Sequence, residues 1–101
     1  MATKHPSVPP THPGAYLREI VLPDTDMTKA GMARALGISR QTLYDILNEK
    51  QPVTVDMALR LGRFFGTSPE SWLTMQNNYD FEKARQRIDL EAIPVYEPAA
   101  G

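Results

Sequence analysis

Cysteine is absent from the 101 residues, which excludes disulfides and thiolate metal centres. Histidine occurs only as His5 and His12. Two imidazoles this isolated make neither a metal site nor a catalytic cluster. No apolar run approaches the ~20 residues that span a bilayer. The first thirteen residues lack the apolar core of a secretory signal, so a cytoplasmic location with no membrane partner is expected. No glycine-rich phosphate loop, Ser/His/Asp set or pair of catalytic carboxylates can be assembled. The chain is therefore expected to be no enzyme and to need no cofactor.

A strong charge of either sign is also missing. The net charge is -1, which taken alone argues against a nucleic-acid partner, because phosphate neutralisation drives such binding. The distribution reads differently. Between Thr28 and Gly66 there are six basic residues against three acidic ones, and elsewhere five against nine. A basic middle between acidic ends suits one face for DNA and another for a different partner.

What is present is helix punctuation. Residues 1–12 carry three prolines and little that could pack, and read as a flexible arm. Pro13 opens a first helix, with His12 as its cap. Leu17, Ile20 and Val21 are spaced to give it one apolar face, and Pro23 should stop it. Thr28 caps a second helix, in which Met32, Ala33 and Leu36 face inward and which ends at Gly37. Ser39 caps a third, running to about Asn48, with Leu43, Ile46 and Leu47 inward. Thr54 caps a fourth, carrying Ala58, Leu61 and Phe65 and closed by Gly66. Ser68-Pro69 is a cap followed by proline at the first helical position. The fifth helix places Trp72, Met75 and Tyr79 on one face, with or without a break near Asp80. Trp72 is read as core. The charged stretch from Glu82 to Arg87 is read as a solvated face. The tail, 88–101, is punctuated by Pro94 and Pro98 and should be a short strand or coil. The fold class is all-α: a domain over 13–87 of five helices with short connections, between an arm and an extended tail.

The informative stretch is Lys29 to Asn48, KAGMARALGISRQTLYDILN. Ala33 is small where two helices cross. Gly37 takes a left-handed turn at low cost. Ile38, Leu43 and Ile46 hold the second helix of the pair on the first. Ser39, Arg40, Gln41, Tyr44, Asp45 and Asn48 remain outward. That residue set suits base edges and phosphates better than a bland solvated face would. Arg40 is the leading candidate for a guanine contact. Tyr44 suits a thymine methyl or a phosphate. Asn48 and Lys50 suit the DNA backbone, and Asp45 is left without a role.

This segment resembles the helix-turn-helix of the lambda-repressor/Cro type, the XRE family. HPGAYLREIVLP, MARALGISRQTLYDILNEK and MALRLGRFFGTSPESWLTMQNNYDFEKA together resemble the HigA group of addiction-module antitoxins. The likeness covers about His12 to Ala84, and PESWL followed by QNNYD is its most specific part. It implies a lambda-repressor-like fold and a homodimer that represses its own promoter at an inverted repeat of operator DNA. It also implies a HigB-type toxin partner, a ribosome-dependent mRNA-cutting RNase of RelE-like fold. By the same likeness Ser39, Arg40, Gln41 and Tyr44 fall where the family reads DNA, and Thr28 and Lys29 where it holds phosphate. Many members have glutamine at the position of Lys29, and Gly31 weakens its helix by about 1 kcal/mol.

The alternative is a stand-alone regulator of the same fold with no toxin. Spare apolar residues after Ser68 (Leu73, Ile88, Leu90, Ile93, Val95, Tyr96) are the expected dimer surface. A basic toxin is expected to dock on the acidic remainder, where Asp80 and Glu82 lie.

Overall fold

The computed structural model describes residues 10–99, so the first nine residues of the expected arm lie outside the described residues. The chain folds as α1 (Pro13–Tyr16), α2 (Lys29–Leu36), α3 (Arg40–Leu47), α4 (Val55–Phe65) and α5 (Pro69–Arg87). The five-helix, all-α expectation holds among the described residues. Each cap forms from the residue whose chemistry suits it. Thr28, Ser39, Thr54 and Ser68 accept from the backbone N–H three residues on, and Gly37 and Gly66 take the left-handed conformation at φ 74° and 67°.

The first helix departs from its expected form. After α1 the chain widens into a π turn over Leu17–Val21 and tightens into a 3-10 turn over Leu22–Asp24. A π turn takes an extra residue per turn, so the i, i+3, i+4 face is not kept. Leu17 is fully buried and Val21 partly so, while Ile20 is 54% exposed. Pro23 does not end the helix at its own position. It sits inside the final turn, where no N–H is required of it.

Leu17, Met32, Leu43, Ile46 and Leu61 are the fully buried centre of the core. Each such side chain contributes about 1.5–3 kcal/mol by leaving water. Trp72 closes the core from α5, and its indole N–H donates to Thr67 Oγ1 at 2.8 Å. α5 runs unbroken past Asp80. The tail makes one 3-10 turn at Leu90–Ala92 and is otherwise coil as far as Ala99.

His12 belongs to the folded body and not to a flexible arm. It is buried, its Nδ1 accepts from the Gly14 N–H at 2.8 Å, and its ring meets Tyr79 edge-on at 5.0 Å. The burial gives the arm's last residue a packed environment that its proline-rich neighbours did not foretell. Burial holds the His12 pKa below its ordinary value, outweighing the opposing pull of Glu49 and Asp80. The unfolded chain therefore takes the proton first. Stability from this site is fully present above the ordinary histidine pKa and is lost as pH falls towards the folded value. Chemical unfolding between about pH 7.5 and 5.5 should show a loss of stability on acidification. His12→Asn, which keeps a capping acceptor, should flatten that slope. An unchanged slope in the variant would place the titrating group elsewhere.

Candidate nucleic-acid interface

α2 and α3 meet at a tight turn that the rest of the fold grips at both ends. At the turn, Arg60 of α4 donates through Nη1 to the carbonyls of Leu36 (2.8 Å) and Gly37 (3.2 Å), while its Nε pairs with Asp56 at 2.6 Å. A cation on the last carbonyls of α2 satisfies acceptors that the helix leaves open and complements its dipole. A β-carbon on Gly37 would stand 2.9 Å from that same Nη1. Gly37 is thus fixed by its positive φ and by the arginine behind it.

The far end of α3 is held in the same way. Arg18 donates to the Leu47 carbonyl at 2.6 Å and pairs with Glu49 at 3.4 Å. Glu49 is the one non-glycine residue at positive φ among the described residues, at 63°. Such a position costs about 1–3 kcal/mol, and here it turns the chain so that the N–H groups of Lys50 and Gln51 both reach the Asp45 carbonyl. Gly14 completes the seat. α1 lies so close against α3 that a β-carbon on Gly14 would overlap the Ile46 carbonyl oxygen.

Held this way, α3 presents one polar face. Ser39, Arg40, Gln41, Tyr44, Asn48 and Lys50 are exposed on it or just beyond it, and Thr28 and Lys29 are exposed at the start of α2. The Lys29 ammonium stands 5.7 Å over the Tyr44 ring, within cation–π range. This contact brings the α2 end of the candidate set onto α3. Arg40, Lys29 and Lys50 enter no ion pair among the described residues, so their charge is free for phosphates or base acceptors. Ser39 and Thr28 are partly occupied. Thr28 Oγ1 accepts from the Gly31 N–H, and Ser39 Oγ accepts from the Thr42 N–H and donates to Thr42 Oγ1. Arg60, counted above in the basic middle, is engaged with Asp56 and the turn.

The helix-turn-helix family matches residues 17–72 of this chain. Virulence-associated protein I of Dichelobacter nodosus is 38% identical over 91 residues, covering 90% of this chain and 82% of that protein. A solved structure of the Pseudomonas aeruginosa antitoxin HigA with higBA promoter superposes with a TM-score of 0.78 at 37% identity, covering 90% of this chain and 99% of that one. The chain belongs to the HigA-type group of the XRE helix-turn-helix family. A second antitoxin structure, GraA in complex with its operator, gives a TM-score of 0.79 at 38% identity and covers 98% of this chain and all of that one.

In this HigA-type chain the QNNYD block has a physical role. Gln76 is buried, accepts from the Val53 N–H at 2.8 Å and donates to Asp80 at 3.0 Å. Tyr79 packs on His12. The block thereby ties α5 to the loop that leaves α3 and to the entry of α1. Asp80, expected on a toxin-docking surface, is exposed and accepts the hydrogen bond of the Gln76 amide. No helix among the described residues is long and apolar enough to cross a membrane.

Proposed function

We propose that this protein is an antitoxin that binds operator DNA as a homodimer, represses its own promoter and neutralises a HigB-type toxin, a RelE-like mRNA-cutting RNase. The observation that carries the DNA half is the α3 face. Arg40, with no ion-pair partner among the described residues, stands near its N-terminal end, where side chains reach furthest into a major groove. Lys29 with Tyr44 lies on one flank and Lys50 on the other. The two similar antitoxins whose structures contain promoter or operator DNA support the same use of this fold.

One recognition helix offers too little contact for a tight specific site. Two, related by a dyad, read half-sites about 34 Å apart. The surface for that pairing is α5 beyond Asp80 with the tail. Phe81, Ile88, Leu90 and Ile93 are all exposed there, an apolar set that a monomer has no reason to leave in water.

A tagged pull-down from nuclease-treated lysate, with mass spectrometry of the eluate, tests the toxin half. A stoichiometric small basic partner is expected. Recovery of none, with promoter binding intact, would leave a stand-alone repressor.

A further inference from the structure

Asp45 is an anion on the helix face that the proposed function turns towards phosphates. It is half-buried, and none of the ion pairs among the described residues includes it. An unneutralised carboxylate there weakens DNA binding in general, so its presence needs a specific account. Its one side-chain partner among the described residues is Gln41, a turn earlier on α3, whose Nε2 donates to Asp45 Oδ1 at 2.8 Å.

The chemistry of that bond fixes the amide. A carboxylate only accepts, so the nitrogen of Gln41 and not its oxygen must face Asp45. The amide nitrogen has two hydrogens, and one is taken. What remains for a partner is Oε1 and the second N–H, an acceptor beside a donor. In the major groove adenine offers the matching pair, the N6 amino group and N7. Guanine offers two acceptors, O6 and N7, which a glutamine can satisfy together only by giving both hydrogens of its amide nitrogen, and one of them is held by Asp45. Bonded to Asp45, Gln41 has one hydrogen left to give, and the carboxylate itself repels guanine's acceptors. We infer that Asp45 is a positioning residue that makes Gln41 prefer adenine over guanine in each half-site. This rests on the reading that α3 enters the major groove.

The test selects bound duplexes from a library with randomised half-sites, using the full-length protein and its Asp45→Ala and Asp45→Asn variants. The wild type should show a preference of about tenfold for adenine over guanine at one position, repeated in both half-sites. Asp45→Ala should bring that ratio close to one while binding other DNA at least as tightly, because an anion has been removed. Asp45→Asn, whose amide oxygen can accept the same bond, should keep most of the preference. The Gln41–Asp45 bond also supports the helix slightly. Melting curves report that support, and base preference does not. An adenine preference retained in Asp45→Ala, or a change only at a cytosine position, overturns the inference, the latter by making Asp45 a direct reader. A wild type that selects no sequence and binds without salt dependence overturns the DNA reading itself, and the positioning role with it.

Discussion

Gly14→Ala should cost at least about 3 kcal/mol of stability, at the upper end of what overpacking does, and out of a total of roughly 5–15 kcal/mol for a domain. The β-carbon would overlap the Ile46 carbonyl oxygen and stand 2.8 Å from its carbonyl carbon. Both are backbone atoms of α3, so no side chain can rotate away. The neighbouring ring of His12 blocks the other direction, with Nδ1 at 3.1 Å. α1 would have to lift from α3, which exposes Leu17 and breaks the reach of Arg18 to the Leu47 carbonyl. For a domain of this size the melting temperature should fall by about 12 °C or more. Gly31→Ala is the control. Its β-carbon meets the Thr28 cap oxygen at 3.1 Å and Met27 Cγ at 3.9 Å. The gain of about 0.5–1 kcal/mol from replacing a helical glycine is set there against one tight contact, and the net change should be small. Equal melting of Gly14→Ala and wild type would mean that α1 is not seated on α3 as described.

The contrast between these two glycines marks where sequence reasoning reaches. Gly37 and Gly66 were legible because a glycine after an apolar helix face has a local meaning. The caps at Thr28, Ser39, Thr54 and Ser68 were legible for the same reason: donor and acceptor lie three residues apart. Gly14 carries no local signal. Its requirement comes from a carbonyl 32 residues later in the chain. Arg18 and Arg60 act across 29 and 24 residues. Sequence alone shows neither reach, and its charge count places Arg60 in the basic middle although the fold engages it with Asp56 and the turn. The one available hint was negative. No glycine follows Leu47, so the end of α3 needed some other device, and Glu49 with Arg18 provides it. Gln76 shows the opposite case. QNNYD was recognised as a family signature, while its purpose, satisfying the Val53 N–H, is a tertiary fact. The face of α3 was readable because 3.6-residue periodicity alone separates Leu43, Ile46 and Leu47 from Arg40, Gln41 and Tyr44.

Arg40→Ala should weaken operator binding by about 1–3 kcal/mol for each half-site, if the guanidinium makes a bidentate contact with guanine O6 and N7. A homodimer carries the change twice, at well-separated positions whose effects add, so the operator complex should lose about 2–6 kcal/mol. Folding should be untouched, since Arg40 is exposed and enters no ion pair among the described residues. The discriminating readout is the pattern of the loss. A base reader, once removed, relaxes preference at one position of the half-site and leaves the others intact. Lys29→Ala should behave differently. Removing a phosphate anchor from the start of α2 weakens every sequence alike and lowers the slope of log affinity against log salt by about 1 for each phosphate released. The comparison also tests the pairing of Lys29 with Tyr44, because Tyr44→Phe keeps the ring that the ammonium stands over and should leave the salt slope with the lysine. If Arg40→Ala instead lowers the salt slope and leaves base preference unchanged, then Arg40 is a phosphate anchor, and sequence reading on this helix passes to Gln41 and its carboxylate neighbour.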